Sequence, residues 1–195
     1  MTGRGQGFHR LTSRWRRSHC NESHWPCRLE RRGKTTLLTR LIPHFNALGL
    51  RVSVIKHAHH QFDVDVPGKD SWRHRHSGAT EVLVSSTQRW ALMHELRGAG
   101  EPRLPELLAK MSRVDLVVIE GFKREPHRKI EVHRAANAKP LLFPDDPGVV
   151  GIATDVAVET TLPTAHLDDI EAVAAMMLRS AVPVEDVLAK SLSEG

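Results

Sequence analysis

Between residues 34 and 48 the apolar positions Leu37, Leu38, Leu41, Ile42, Phe45 and Leu48 recur three and four apart, which predicts one buried face of an α-helix. Gly49 follows, where a helix commonly ends on a left-handed residue. Residues 50–56 (LRVSVIK) are rich in β-branched side chains and predict a strand, with a loop over 64–69 and a short helix over 71–78. Residues 81–85 and 89–94 predict two strands joined tightly through 86–88, and 104–111 predicts a helix. The run Val114 to Glu120 (VDLVVIE) is almost continuously apolar, the mark of a parallel strand buried on both faces. Residues 130–133 alternate, as an outer strand would, and 149–154 (VVGIAT) predict another buried strand. Asp168 is expected to cap a helix running through Leu178, with Glu171 in the capping-box position. Strands alternating with helices predict an α/β fold, a mostly parallel sheet with helices on both faces.

Composition narrows the class without naming a chemistry. The chain has 195 residues, 40% hydrophobic and 26% charged, which excludes disorder throughout, collagen and a disulfide mini-protein. No apolar run approaches the ~18 residues that would span a bilayer, so a soluble, cytoplasmic protein with no membrane partner is expected. The formal charge of +5 would suggest a nucleic-acid partner if it were spread over the folded part. It is not: residues 1–32 hold eight Arg and two acids, leaving 20 basic against 21 acidic residues in the rest. No nucleic-acid partner is therefore expected. Both cysteines, Cys20 and Cys27, also fall in the first segment.

That division gives the expected domain organisation, an aberrant basic segment over 1–32 and a folded domain over 33–195. The basic segment admits several readings: an organellar transit peptide, a zinc site from His19, Cys20, His24 and Cys27, a disordered tail, or a frameshifted start. The last comes from the genetic code. With G/C-favouring codons where a choice exists, residues 21–32 read one nucleotide later spell Thr-Lys-Val-Ile-Gly-Leu-Ala-Gly-Trp-Ser-Gly. Supplying one missing base then gives Ala directly before Gly33. The result is an apolar strand leading into Gly-x-x-x-x-Gly-Lys-Thr, where the chain as written has only Gly-Lys-Thr. As written, Arg28 stands where that pattern has its first glycine, residues 28–32 (RLERR) lack the tight backbone cradle, and Pro26 falls where the first central strand should donate hydrogen bonds.

Gly33-Lys34-Thr35-Thr36 opens the first helix. Free N–H groups and the positive dipole end of a helix favour phosphate there; Lys34 is placed to reach β/γ-phosphates and Thr35 to offer a hydroxyl to Mg²⁺. Glu120, at the carboxyl end of the buried run, is the expected functional acid, acting through a water on Mg²⁺, while Asp115 at the other end is expected to cap the strand. Lys56-His57-Ala58-His59-His60, followed by Asp63 and Asp65, is rich in metal-ligand types but is read first as a polar loop beside a nucleotide. Lys69-Asp70-Ser71 before Trp72-Arg73-His74-Arg75 reads as a helix start with a solvated basic face. No nucleophile sits in an identifiable elbow, so Ser-His-Asp catalysis has no support.

These motifs together, with Gln88-Arg89-Trp90-Ala91-Leu92-Met93, Val118-Ile119-Glu120-Gly121-Phe122-Lys123 and Lys129-Ile130-Glu131, resemble the molybdopterin-guanine dinucleotide biosynthesis protein B (MobB) family over about residues 33–179. The resemblance implies a P-loop NTPase-like α/β domain that dimerises and binds GTP with Mg²⁺. It also implies weak GTP hydrolysis and assistance to the molybdenum cofactor guanylyltransferase, the partner that attaches GMP to molybdopterin. It assigns the phosphate-loop roles to Gly33, Lys34 and Thr35, beside which Thr36 is also expected to bind the nucleotide, and it sets Thr154-Asp155 against the family's strand-end Ser/Thr-Asp. Asp155 is then the expected guanine reader, because one carboxylate can accept from N1–H and the 2-amino group together. Two alternatives stand beside a slow GTPase: a non-catalytic adaptor of the guanylyl-transferring enzyme, and a metal-delivery GTPase using His57, His59 and His60.

Overall fold

The computed structural model describes residues 26–30, 33–58, 62–122 and 127–193. In chain order the elements are β1 (Pro26–Glu30), α1 (Lys34–Ala47), β2 (Val52–Lys56), α2 (Asp70–His76), β3 (Glu81–Ser85), β4 (Trp90–His94), α3 (Leu104–Ala109), β5 (Leu116–Glu120), β6 (Lys129–His133), β7 (Val149–Thr154), β8 (Thr164–His166), α4 (Ile170–Ser180) and α5 (Val184–Ser193). A 3₁₀ turn covers Ala135–Asn137.

Among the described residues the main sheet has six strands in the order β2-β5-β1-β6-β7-β8, every pairing parallel. Parallel strands need a crossover between them, and α1 provides the first, from β1 to β2. Side chains of a strand alternate between faces, and β5 shows both. Leu116 and Val118 pack with Leu37, Leu41 and Phe45 of α1 and Val173 and Met177 of α4. Val117 and Ile119 pack with Leu104 and Leu108 of α3 and Val184 and Val187 of α5. Helices thus cover both faces, and Leu37, Leu41, Phe45, Leu104, Leu108 and residues 116–119 are all 1% exposed or less. The continuous apolar run of β5 is the direct consequence of this two-sided burial. The fold is a P-loop NTPase-like α/β sandwich.

Four sequence expectations change. Residues 26–30, set apart by composition with the basic segment, form a central strand between β5 and β6, so the sheet begins before residue 33. Pro26 stands at the first position of that strand, where a missing amide hydrogen is tolerated. The expected outer strand over 130–133 lies inside the sheet instead, between β1 and β7. Its polar residues mimic an edge strand in sequence, yet Glu131 is fully buried and accepts from the backbone N–H of Leu142 (2.8 and 2.9 Å) and Phe143 (3.1 Å). Lys129, also buried, pairs with Asp146 at 2.6 Å. The cap of α4 is Asp169, which accepts from Ala172 N–H at 3.0 Å, while Asp168 turns to Arg40 at 2.8 Å. The basic face expected on α2 is not wholly solvated either. Arg75 is 12% exposed and binds Asp63, Asp65 and Glu95, which ties the 62–66 loop and the hairpin to this helix.

The β3–β4 hairpin forms a separate two-stranded antiparallel sheet. Leu83 faces Leu92 across it, and both, with Trp90, are exposed.

Candidate functional site

The carboxyl end of the parallel sheet gathers most of the residues singled out by sequence. Gly33 precedes α1 with φ 96°, a left-handed conformation that costs glycine nothing and any other residue a steric penalty. Lys34 and Thr35 begin the helix, where N–H groups lack partners within the helix and the dipole is positive. The Thr35 hydroxyl donates to Glu120 Oε1 at 3.3 Å, joining residues 85 positions apart. Thr36 is exposed on the same turn and its carbonyl accepts from the Thr39 hydroxyl at 2.9 Å. A hydroxyl and a carboxylate side by side are hard oxygen donors of the type Mg²⁺ takes. The arrangement can therefore hold an anion at the helix start and a hard cation next to it. Residues 31 and 32, directly before Gly33 in sequence, lie outside the described residues.

Glu120 is positioned by its neighbours on both sides. It ends β5, in register with Lys56 at the end of β2. Its carbonyl accepts from His57 N–H at 2.8 Å. Gly121 then turns with φ 95°, and a Cβ there would lie 2.8 Å from His57 Cβ, so only glycine lets the two strand ends close together. The His57 ring packs on Phe122, centroids 5.0 Å apart, and its Nε2 meets Glu101 at 2.5 Å. His57 thus buttresses the strand end that presents Glu120. Asp115 behaves as expected at the opposite end, accepting from Arg51 N–H at 2.7 Å.

Asp155 follows β7, three strands from β5 along the same edge. One of its carboxylate oxygens accepts from Ala135 N–H at 2.9 Å, which fixes it against the 3₁₀ turn that follows β6. Thr154 is buried, and its hydroxyl is engaged with Val156 N–H and carbonyl, both at 3.2 Å. Gly33, Lys34, Thr35 and Glu120 thus come together, and Asp155 stands apart from them on one edge. His59 and His60, and the first-segment residues His19, Cys20 and His24, lie outside the described residues, as does the side chain of Cys27. Among the described residues no group of three or more His, Cys, Asp or Glu is arranged to hold a metal ion. No helix among them is long and apolar enough to cross a membrane.

The family model of molybdopterin guanine dinucleotide synthesis protein B, MobB, matches residues 27–155, the span from β1 to the end of the site just described. The chain belongs to the MobB family. It is 43% identical over 145 residues to the molybdopterin-guanine dinucleotide biosynthesis adapter protein of Escherichia coli (strain K12), covering 73% of this chain and 83% of that one. The adapter protein of Haemophilus influenzae (strain ATCC 51907 / DSM 11121 / KW20 / Rd) is 45% identical over 130 residues, 65% of this chain and 71% of its own. Among solved structures, a crystal structure of molybdopterin-guanine biosynthesis protein B superposes with a TM-score of 0.63 at 26% identity, covering 80% of this chain and 98% of that one. Bacillus subtilis MobB gives a TM-score of 0.57 at 24% identity, covering 81% and 96%, which speaks to the fold.

Two features of this MobB chain were not legible as parts of the site. Glu101 carries no motif and reaches His57 only through the fold. Arg134, directly after β6, lays its guanidinium against Gly33: a Cβ there would sit 3.2 Å from Arg134 Nε. Its only sequence signal is its place after Lys129-Ile130-Glu131, at the carboxyl end of a strand.

Proposed function

We propose that this MobB-family protein is a GTP-binding accessory protein of molybdopterin guanine dinucleotide synthesis, with weak Mg²⁺-dependent hydrolysis, that acts on the molybdenum cofactor guanylyltransferase. The observation that carries the reading is the Thr35–Glu120 pair beside the helix start at Gly33 and Lys34. In this reading Gly33 and Thr36 approach the phosphates through their backbone, Lys34 neutralises them, and Thr35 and Glu120 hold Mg²⁺. Bound there, Mg²⁺ would offset the charge of the β- and γ-phosphates. Asp155 reads guanine by accepting from N1–H and the 2-amino group, one of its oxygens also accepting from Ala135 N–H. The names of the two bacterial relatives support the accessory role.

The same names favour a second version, an adaptor for which GTP is a structural ligand or delivered substrate and turnover is irrelevant. Hydrolysis measured with and without the guanylyltransferase separates the two. The metal-delivery alternative gains nothing from His57, whose ring is occupied by Glu101 and Phe122. A homodimer fits the exposed apolar side of the hairpin, where Leu83, Trp90 and Leu92 are 60%, 64% and 48% exposed.

The frameshift reading belongs with this function. The chain as written already forms the central strand β1; what residues 21–32 read one nucleotide later would add is the glycine-rich approach that a phosphate-binding helix start needs. The function is tested by melting-temperature shifts with GTP and ATP in the presence of Mg²⁺. A ligand at ~100 times its Kd adds about 2.7 kcal/mol to native stability, so occupancy is readily seen. GTP should shift the melt more than ATP, and Asp155→Ala should abolish the difference. Equal shifts in the unaltered protein would remove Asp155 as the base reader.

A further inference from the structure

The carboxyl edge of the sheet sets out a row of side chains in a fixed order. Glu120 ends β5, the helix start at Gly33 follows β1, Arg134 follows β6 and Asp155 follows β7. Adjacent strands are roughly 4.8 Å apart, so Arg134 stands between the helix start and the carboxylate assigned to the base. Its guanidinium lies against Gly33. Arg134 is half-buried, and its side chain makes no hydrogen bond among the described residues. The acid that feels its charge, Asp168, is already ion-paired with Arg40 at 2.8 Å. Among the described residues, then, no side chain takes up the charge of Arg134 beside the helix start.

We propose that Arg134 is a nucleotide-binding residue that contacts the α-phosphate of a guanine nucleotide. The inference rests on the nucleotide-site reading above and adds a residue and a phosphate position to it. In a nucleotide the α-phosphate lies between the ribose and the β-phosphate. Glu120 and Thr35 mark the terminal-phosphate side of Gly33, and Asp155 marks the base side. The cation between them meets the α-phosphate, and a guanidinium can bind two of its oxygens at once.

The phosphate series tests the position. Affinities for guanosine, GMP, GDP and GTP are measured by calorimetry with Mg²⁺ on the full chain, both as written and with the shifted reading of residues 21–32. The variants are Arg134→Ala, Arg134→Gln and Arg134→Lys. In a chain that binds GTP, Arg134→Ala and Arg134→Gln should weaken GMP, GDP and GTP by a similar factor of about ten or more and leave guanosine unchanged. Arg134→Lys should recover part of the loss, as a point charge without the fork. Melting without nucleotide checks that each variant is folded. Unchanged affinity for all three nucleotides overturns the inference, a loss confined to GTP moves Arg134 to the terminal phosphate, and an equal loss for guanosine moves it to the base. Either shift refutes the α-phosphate contact while leaving the nucleotide site standing. If neither version binds any nucleotide, the nucleotide-site reading falls and this inference falls with it.

Discussion

Glu131→Gln exchanges one carboxylate oxygen for an amide nitrogen in an acid fully buried within the sheet. In the native chain the carboxylate is 0% exposed and takes Leu142 N–H on both oxygens, at 2.8 and 2.9 Å, and Phe143 N–H on one, at 3.1 Å. These bonds hold the 141–146 segment onto β6, which Lys129 also anchors through Asp146. The amide keeps one acceptor oxygen and replaces the other by an NH₂ that points donors at a donor. Hydrogen bonds to a charged acceptor are worth about 1.5–3 kcal/mol each and neutral ones about 1, so losing the charge at one oxygen and the bond at the other should cost about 3 kcal/mol. Removing a buried charge returns part of its desolvation penalty. With two backbone N–H groups held on the carboxylate, one of them shared between both oxygens, that return is smaller than the loss. At 2–4 °C per kcal/mol for a chain of this size, the melting temperature should fall by about 10 °C. Urea and thermal unfolding, followed by tryptophan fluorescence and circular dichroism, measure it. A loss below about 1 kcal/mol would refute the reasoning, because desolvation would then be cancelling the bonds.

The Arg75 network gives a pH signature. The hydrogen bond from Arg75 holds the Asp65 carboxyl below the usual aspartate range, against the opposing effect of burial. A lowered folded-state value means that Asp65 contributes stability above its unfolded pKa of about 3.9 and loses it as pH falls through the lower folded value. The gap in urea midpoint between the protein and Asp65→Asn should thus be constant above about pH 5 and narrow from about pH 4 downward; a gap that widens in acid would contradict the pairing. At the candidate site, Glu120→Gln should keep nucleotide binding and lower Mg²⁺-dependent hydrolysis, whereas Lys34→Ala should weaken binding itself. Unchanged turnover in Glu120→Gln would favour the adaptor version. The chain as written should bind GTP more weakly and unfold at lower urea than the version with the shifted reading of 21–32. Equal performance, or resequencing that confirms the present frame around the Arg32 codon, would count against the frameshift.

Sequence alone determined the parts of this protein that are written locally. The 3.6-residue period fixed α1 because its packed face is set by Leu37, Leu38, Leu41 and Phe45, and the unbroken apolar run fixed β5 as a strand buried on two sides. The Gly-Lys-Thr triplet and the strand-end acid were legible for the same reason: their chemistry depends on a helix start and a strand end, which a sequence window contains. Strand order, by contrast, belongs to the whole chain. Lys129 and Glu131 make β6 read as an edge, and only the 140–148 segment folding back to neutralise them puts that strand inside the sheet. Asp168 and Asp169 are equivalent caps by type, and Arg40, 128 positions from Asp168, decides between them. Arg75 looks like a solvated cation until three carboxylates from two other segments close on it. The meeting of Thr35 with Glu120, of His57 with Glu101 and of Arg134 with Gly33 likewise follows from parallel strands that bring distant carboxyl ends to one edge, a juxtaposition that no local periodicity records.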